Sequence, residues 1–390
     1  MPPDRRFDGG PGLCQSGLVR ILHISDCYLP RLGGIEVQVA DLVGKQREAG
    51  HTVEVATATP GEPLPGVRRV VAGLPFDLPV HPRGTVHLIR LMTGWRPDVV
   101  HVHAGAVSPF AWQGVRAAVR AGLPVVVTVH SMWDPVTSGL YLGLQAAFEW
   151  RRWGIAVTAV SEAAARPIRA VAGAGVPVHV VSNGLDVTAW HPEPGRAVPE
   201  GERGHSEGAH VVAVGRLAPR KQPVRLLKLL KAARAMVPGT IPMRATIVGE
   251  GPARGSMERY LRAQEMDWVS LPGRFTRDQI KELLASADVF VAPAPRESFG
   301  LAALEARAAG VPVVARSQSG VADFVRPGKE GLLGHTFDEL ASSVARLVRD
   351  EPLRASIAAH NREVEPIACS WPAVLDGFER CYAEVRASRP

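Results

Sequence analysis

Short apolar runs rich in valine and isoleucine recur along the chain, and segments with one polar face separate them. In the first half VRILHIS (19–25), HTVEVATA (51–58), PDVVHVHAG (97–105), LPVVVTVHS (123–131) and VPVHVVSNGLD (176–186) read as strands. Runs this continuous mark strands buried on both faces. Between them IEVQVADLVGKQREAG (35–50) and AWQGVRAAVRAG (111–122) have the apolar spacing of helices closed by a glycine. IAVTAVSEAAARPIRAV (155–171) passes from strand to helix. Strands alternating with helices predict βαβ units and a parallel sheet covered on both sides.

The pattern stops over residues 191–209, which are loaded with proline, glycine and charge, and this predicts a linker between domains. A second α/β series then starts at HVVAVGRL (210–217) and continues through RATIVGEG (244–251), WVSLPG (268–273), ADVFVAP (287–293) and VPVVARS (311–317). RDQIKELLASA (277–287) and the tail SWPAVLDGFERCYAEVRA (370–387) read as amphipathic helices. Two α/β domains of similar size follow, with residues 1–17 as a flexible tail. Ligands of open α/β sheets bind beyond the carboxyl ends of the strands, so the expected site is the cleft between the domains.

Composition narrows the class. With 390 residues, 46% apolar and 21% charged, the chain is long enough for two or three globular cores. The net charge of +7 is spread over both halves, without a basic tail or interleaved aromatics, which argues against a nucleic-acid partner. The four cysteines form no C-x-x-C pair, so a reducing cytoplasm fits better than a disulfide framework. The N-terminus lacks the apolar core of a signal peptide, and no run of 18 apolar residues would span a membrane. Peripheral membrane attachment stays open.

Several segments carry candidate chemistry. IVGEGPARGSM (247–257) resembles a dinucleotide fingerprint, but Gly249, Gly251 and Gly255 give the wrong spacing and no acidic residue follows where NAD would need it. Such a turn can still approach phosphates; a plain tight turn explains it equally. In VGRLAPRKQP (214–223), Arg216, Arg220 and Lys221 follow a strand and are poised for a diphosphate, although a solvated helix start would look the same. Gly33 and Gly34 lie between a strand and a helix, where backbone approaches a ligand or a turn needs positive φ. His101 and His103 share one face of a strand; a metal site would need further ligands that the sequence does not locate. His130 leaves a buried strand at its C-terminal end, as either a site residue or a satisfied boundary histidine. RESFGLAALEARAAG (296–310) sets Glu297 before a helix start and Glu305 inside the helix, eight residues on.

Together these segments resemble the GT-B-fold retaining glycosyltransferases of family four. The resemblance rests on GG at 33–34, VTVH at 127–130, AVSEAA at 159–164, SNGLD at 182–186, VGRLAPRK at 214–221, VGEGP at 248–252, ADVFVAPAPRESFGLAALEARAAGVPVVA at 287–315 and SW at 370–371. It implies two Rossmann-like domains facing across a deep cleft. Residues 18–190 with 370–390 would form the acceptor domain, the last helix crossing back to it, and 210–369 the nucleotide-sugar domain. By the same resemblance Arg216 and Lys221 would hold the donor diphosphate, and Glu297 the hydroxyls of the donor sugar. Ser298, Phe299, Gly300 and Leu301 would meet sugar and phosphate, with Gly249 and Gly251 close by. Glu305 would accept from the ribose diol, Gly33 and Gly34 would face the diphosphate from the other domain, and His130 would line the reaction centre. Gln222 departs from the family, which often has glycine after the lysine.

The implied activity is hexosyl transfer from a UDP- or GDP-sugar to a small-molecule or lipid-linked hydroxyl, with retention and with no cofactor or metal. The expected location is cytoplasmic, with or without membrane contact. A nucleotide-sugar epimerase of the same fold and a non-catalytic sugar-nucleotide-binding protein are the alternatives. The intact Arg216, Lys221, Glu297 and Glu305 weigh against the latter.

Overall fold

A computed structural model describes residues 17–31, 33–72, 81–191 and 208–388. The predicted tail, apart from Gly17, and most of the predicted linker lie outside the described residues. The first lobe is built on strands β1 (Arg20–Ser25), β2 (Thr52–Thr57), β3 (Val67–Arg69), β4 (Val99–Ala104), β5 (Val125–Val129), β6 (Ile155–Ala159) and β7 (Val178–Val180). They form one parallel sheet in the order β3-β2-β1-β4-β5-β6-β7. The second lobe has β8 (Ala209–Val214), β9 (Met243–Val248), β10 (Val269–Gly273), β11 (Val289–Ala292), β12 (Val313–Arg316) and β13 (Gly331–Gly334). Its parallel sheet runs β10-β9-β8-β11-β12-β13.

Helices α1 (Gly34–Glu48), α2 (Gly84–Trp95), α3 (Pro109–Arg120), α4 (Pro135–Phe148) and α5 (Glu162–Ala172) belong to the first series. The second series supplies α6 (Pro223–Ala235), α7 (Arg254–Ala263), α8 (Arg277–Ala285), α9 (Leu301–Ala308), α10 (Phe337–Arg349) and α11 (Glu351–Glu363), and α12 (Trp371–Ala387) closes the chain. Local chemistry starts several of them. Asp134 caps α4 by accepting the Thr137 N–H, Ser161 caps α5, and Thr276 with Gln279 forms a capping box on α8. The short strands β3 and β13 and helices α2, α4, α6, α7, α10 and α11 are not among the strands and helices named from the sequence.

Strand alternation divides the first sheet between two covers. Leu22, Ile24, Val100, Val102, Val125 and Val127 pack with residues of α2 to α5. Ile21, Val99, Val126 and Ala156 pack with α1 and α12. So the last helix does return to the first sheet, and the SNGLD and SW segments are its dock. A Cβ on Gly184 would lie 2.4 Å from the Trp371 ring. Gln38 clamps the Gly184 peptide by donating to its carbonyl at 3.0 Å and accepting its N–H at 3.1 Å. Leu185 N–H donates to Cys369 O and Ser182 Oγ to Ala368 O, both at 2.8 Å. Cys27, Cys369 and Cys381 are free thiols, while Cys14 lies outside the described residues. No described helix is long and apolar enough to cross a bilayer.

Candidate active site between the lobes

The carboxyl ends of the two sheets meet. Ser161 Oγ donates to Ser298 O at 2.5 Å, Arg296 pairs with Asp134 at 2.6 Å, and the Glu162 N–H donates to Asp323 at 2.7 Å. Of the residues named from the sequence, Ser298 lies on this seam. On the second lobe Lys221 Nζ donates to Glu297 Oε2 at 2.6 Å, with both side chains part-buried. They are 76 residues apart, so the fold makes this pair. Arg216 is exposed in the loop after β8.

Two loops brace that cationic segment. Leu217 N–H donates to Glu250 O at 2.9 Å and Ala253 N–H returns to Leu217 O at 3.0 Å. A Cβ at Gly249 would sit 1.9 Å from Gly215 O, and one at Gly251 would sit 2.5 Å from Leu217 O. Backbone contact between loops therefore accounts for both glycines, which also have φ of 147° and 158°. Gln222, the departure from the family pattern, adopts φ 52° just before α6. That left-handed conformation suits glycine better, by about 1 kcal/mol.

The 297–301 segment is anchored from behind. Gly320 N–H donates to Glu297 O at 2.9 Å, and a Cβ on Gly320 would strike Ser298 O. Phe299 is buried against Phe324. Gly300 takes φ 96° and opens α9, so its turn needs glycine. Leu301 and Glu305 then lie on the first turns of α9, with Glu305 part-buried. Burial pushes the Glu305 carboxyl up to about 7, against the pull of Arg277 and with a push from Asp41. Arg277 of α8 and Asp41 of α1 are themselves 3.8 Å apart across the lobes. Neither was singled out in the sequence, because each lies on an ordinary polar helix face.

From the first lobe, Gly33 precedes α1 with an extended φ of −163°, so positive φ is not its reason. The Glu36 carboxylate, paired with Arg31 at 3.1 Å, occupies the space of its missing side chain. Nothing lies within 4 Å of where a Gly34 Cβ would be. Asp26, after β1, accepts the Ala111 N–H near the start of α3 at 2.7 Å, and burial raises its carboxyl to about 7. It anchors α3. His130 borders a small cavity, with room for about one water, lined also by Ser182, Asn183 and Trp371. Its Nε2 lies 3.0 Å from His103 Nδ1.

His23, unread in the sequence, completes the pair at 101 and 103. Ring nitrogens of His23, His101 and His103 come within 4.8 Å of one another, close enough to suggest a metal. All six of these nitrogens already bond protein partners, so the cluster is a closed hydrogen-bonded group.

Known proteins share this plan. The sequence model described as "Glycosyl transferases group 1" matches residues 201–364, and "Glycosyltransferase Family 4" matches residues 32–189. A GDP-mannose-dependent alpha-mannosyltransferase of Mycobacterium tuberculosis is 31% identical over 95% of this chain and 98% of its own. The chain belongs to glycosyltransferase family 4. A D-inositol 3-phosphate glycosyltransferase of Salinispora arenicola is 28% identical to this glycosyltransferase, covering 94% of it and 91% of the relative. The sucrose-phosphate synthase of Thermosynechococcus elongatus superposes with TM-score 0.74 at 19% identity, over 95% of this chain and 100% of the other. Anabaena HepE in complex with UDP-glucose gives TM-score 0.70 at 20% identity, over 95% and 100%. Those two likenesses establish the GT-B fold of the family 4 enzyme.

Proposed function

We propose that this glycosyltransferase moves a hexosyl group, mannose first, from a GDP-sugar to a hydroxyl of a polyol phosphate or lipid-linked acceptor, with retention and without a metal. The Lys221–Glu297 pair carries the reading. The two groups neutralise each other across 2.6 Å. A nucleotide sugar would part them, the ammonium turning to the diphosphate and the carboxylate to the sugar hydroxyls.

Cleavage of the sugar–phosphate bond puts negative charge on the leaving diphosphate. Arg216, Lys221 and the N–H groups opening α9 are the chain's own means of stabilising it. The acceptor oxygen bonds to the anomeric carbon on the face the phosphate leaves, and the departing phosphate oxygen takes the acceptor's proton. Support for the donor comes from the mannosyltransferase relative, and for the acceptor from the inositol-phosphate relatives. A lipid-linked acceptor and cytoplasmic membrane contact draw support from α4. That helix has no charged residue and exposes Val136, Leu140, Leu142 and Phe148, with Arg116 stacked over Phe148 and Arg152 nearby.

The test is turnover with GDP-mannose and UDP-sugars against pooled polyol phosphates, free and on phosphatidylinositol vesicles, with products read by mass and NMR. Arg216→Ala or Lys221→Ala should slow transfer by about 10²–10³-fold. Full turnover by the double variant would refute the site, and a product of inverted configuration would refute retention.

A further inference from the structure

The face of the first sheet beneath α1 and α12 should be apolar throughout, as it is at Ile21, Val99, Val126 and Ala156. Instead a polar stripe crosses it. Strand register sets His23 beside His101, Ser25 beside His103, His103 beside Thr128, and Thr128 beside Thr158. Because side chains alternate, all of these and His130 point to the same covered side. Four imidazoles are a poor choice for stabilising a core, since each buried ring nitrogen demands a partner.

The partners form one continuous chain. His130 Nε2 meets His103 Nδ1 at 3.0 Å, His103 Nε2 meets His23 Nδ1 at 2.8 Å, and His23 Nε2 meets Gln46 Oε1 at 2.7 Å. The other end of the same amide, Gln46 Nε2, donates to Tyr382 OH at 2.8 Å. Tyr382 OH lies 2.8 Å from His101 Nδ1, and His101 Nε2 lies 2.6 Å from Thr128 Oγ1. Burial lowers the pKa of His23 and of His130 to about 4 and holds the other two rings well down, so all four are neutral at pH 7.

A neutral imidazole has one donor and one acceptor nitrogen, so a file of such rings runs in a single direction. Gln46 fixes that direction, because its carbonyl end can only accept. His23 must then donate from Nε2 and accept at Nδ1, His103 must donate from Nε2, and so must His130. We infer that Gln46 is a positioning residue which, through His23 and His103, holds His130 as the Nε2–H tautomer and leaves its Nδ1 a hydrogen-bond acceptor. That nitrogen has no partner among the described residues, on a ring that borders the cavity beside Asn183. It suits a hydroxyl of donor or acceptor, not a phosphate oxygen. The functional half of the inference rests on the reading of His130 as a wall of the reaction centre; the tautomer half does not.

Long-range ¹H–¹⁵N spectra of the histidine rings test it in the full-length enzyme. Wild type should show His23, His103 and His130 protonated at Nε2 and bare at Nδ1. In Gln46→Met, which keeps length but loses both amide ends, His130 should become a mixture of tautomers. kcat should then fall about tenfold at unchanged donor KM, short of the about 10⁴-fold loss that a wrong tautomer causes in a serine-protease triad. Tyr382→Phe removes only the phenol, so it should soften the core yet leave the His130 tautomer and kcat in place. His130 protonated at Nδ1 in wild type would overturn the inference, and that spectrum needs no variant to fold. An unchanged tautomer in folded Gln46→Met would also overturn it. A shifted tautomer with unchanged kcat would instead remove His130 from the reaction centre.

Discussion

Glu305 is a part-buried carboxyl on a helix that otherwise presents mostly alanine and leucine. Its pKa is raised, from an ordinary 4.5 to about 7. The native state therefore keeps a proton that the unfolded chain has lost. The stability this group contributes is complete below about 4.5 and is lost as pH rises through 7. A ribose diol donating to the carboxylate would draw that pKa down again, so binding GDP-mannose near pH 6.5 should release part of a proton. Calorimetry in buffers of different ionisation heat should record the release in wild type and none in Glu305→Gln. Equal release in both would take the ribose contact away from Glu305. The E-x7-E motif was legible as local sequence, but the neighbours that set this pKa were not. Arg277 lies 28 residues before Glu305 in the chain and Asp41 is on the other lobe. Gly249 and Gly251 were readable as a plain tight turn or as a phosphate approach, and the fold adds a need for glycine that neither reading named, one loop crossing another.

Strands were the most legible elements, since a strand buried on both faces can hardly avoid a valine-rich run. The polar stripe inside that core has a consequence for pH. Four histidines have folded pKa values depressed below the ordinary 6.5, so their contribution is fully present above about pH 6.5 and is lost as pH falls toward 4. Asp26 and Glu305, both raised to about 7, act in the opposite sense over much of that range. Asp41 and Asp323 are raised too, so the histidines outweigh the carboxyls only below about pH 6, where stability falls as pH falls. Urea midpoints should fall from about pH 6 to 5, and His101→Gln should flatten the fall by up to about 1.4 kcal/mol per unit. A slope identical in the variant would show that the stripe is hydrated and titrates freely.

The two lobes touch through two ion pairs, Arg277–Asp41 and Arg296–Asp134, besides the Ser161–Ser298 and Glu162–Asp323 hydrogen bonds. Arg296 adjoins Glu297 in sequence and pairs with Asp134, which also caps α4. Arg296→Met keeps the cap and removes only the bridge. An exposed pair adds little to stability, so the thermal midpoint should barely move. Small-angle scattering should show wild-type lobes spreading as salt is added, because screening reaches an exposed pair. The variant should be more spread at low salt and respond to salt less, through the remaining Arg277–Asp41 pair; matching curves for both proteins at low and high salt would assign closure to the other contacts, Ser161–Ser298 and Glu162–Asp323 among them. Hydrophobic periodicity, turn residues and motif spacing are properties of neighbours in the chain, and they determined the two parallel α/β lobes and the kinds of groups at the strand ends. Which of those groups touch depends on strand order, since β1 lies beside β4 and α12 returns to the first sheet. That order brings Tyr382 to His101 across 281 residues and Lys221 to Glu297 across 76. Only the tertiary structure could decide it, because burial and hydrogen bonding act between groups that the sequence leaves far apart.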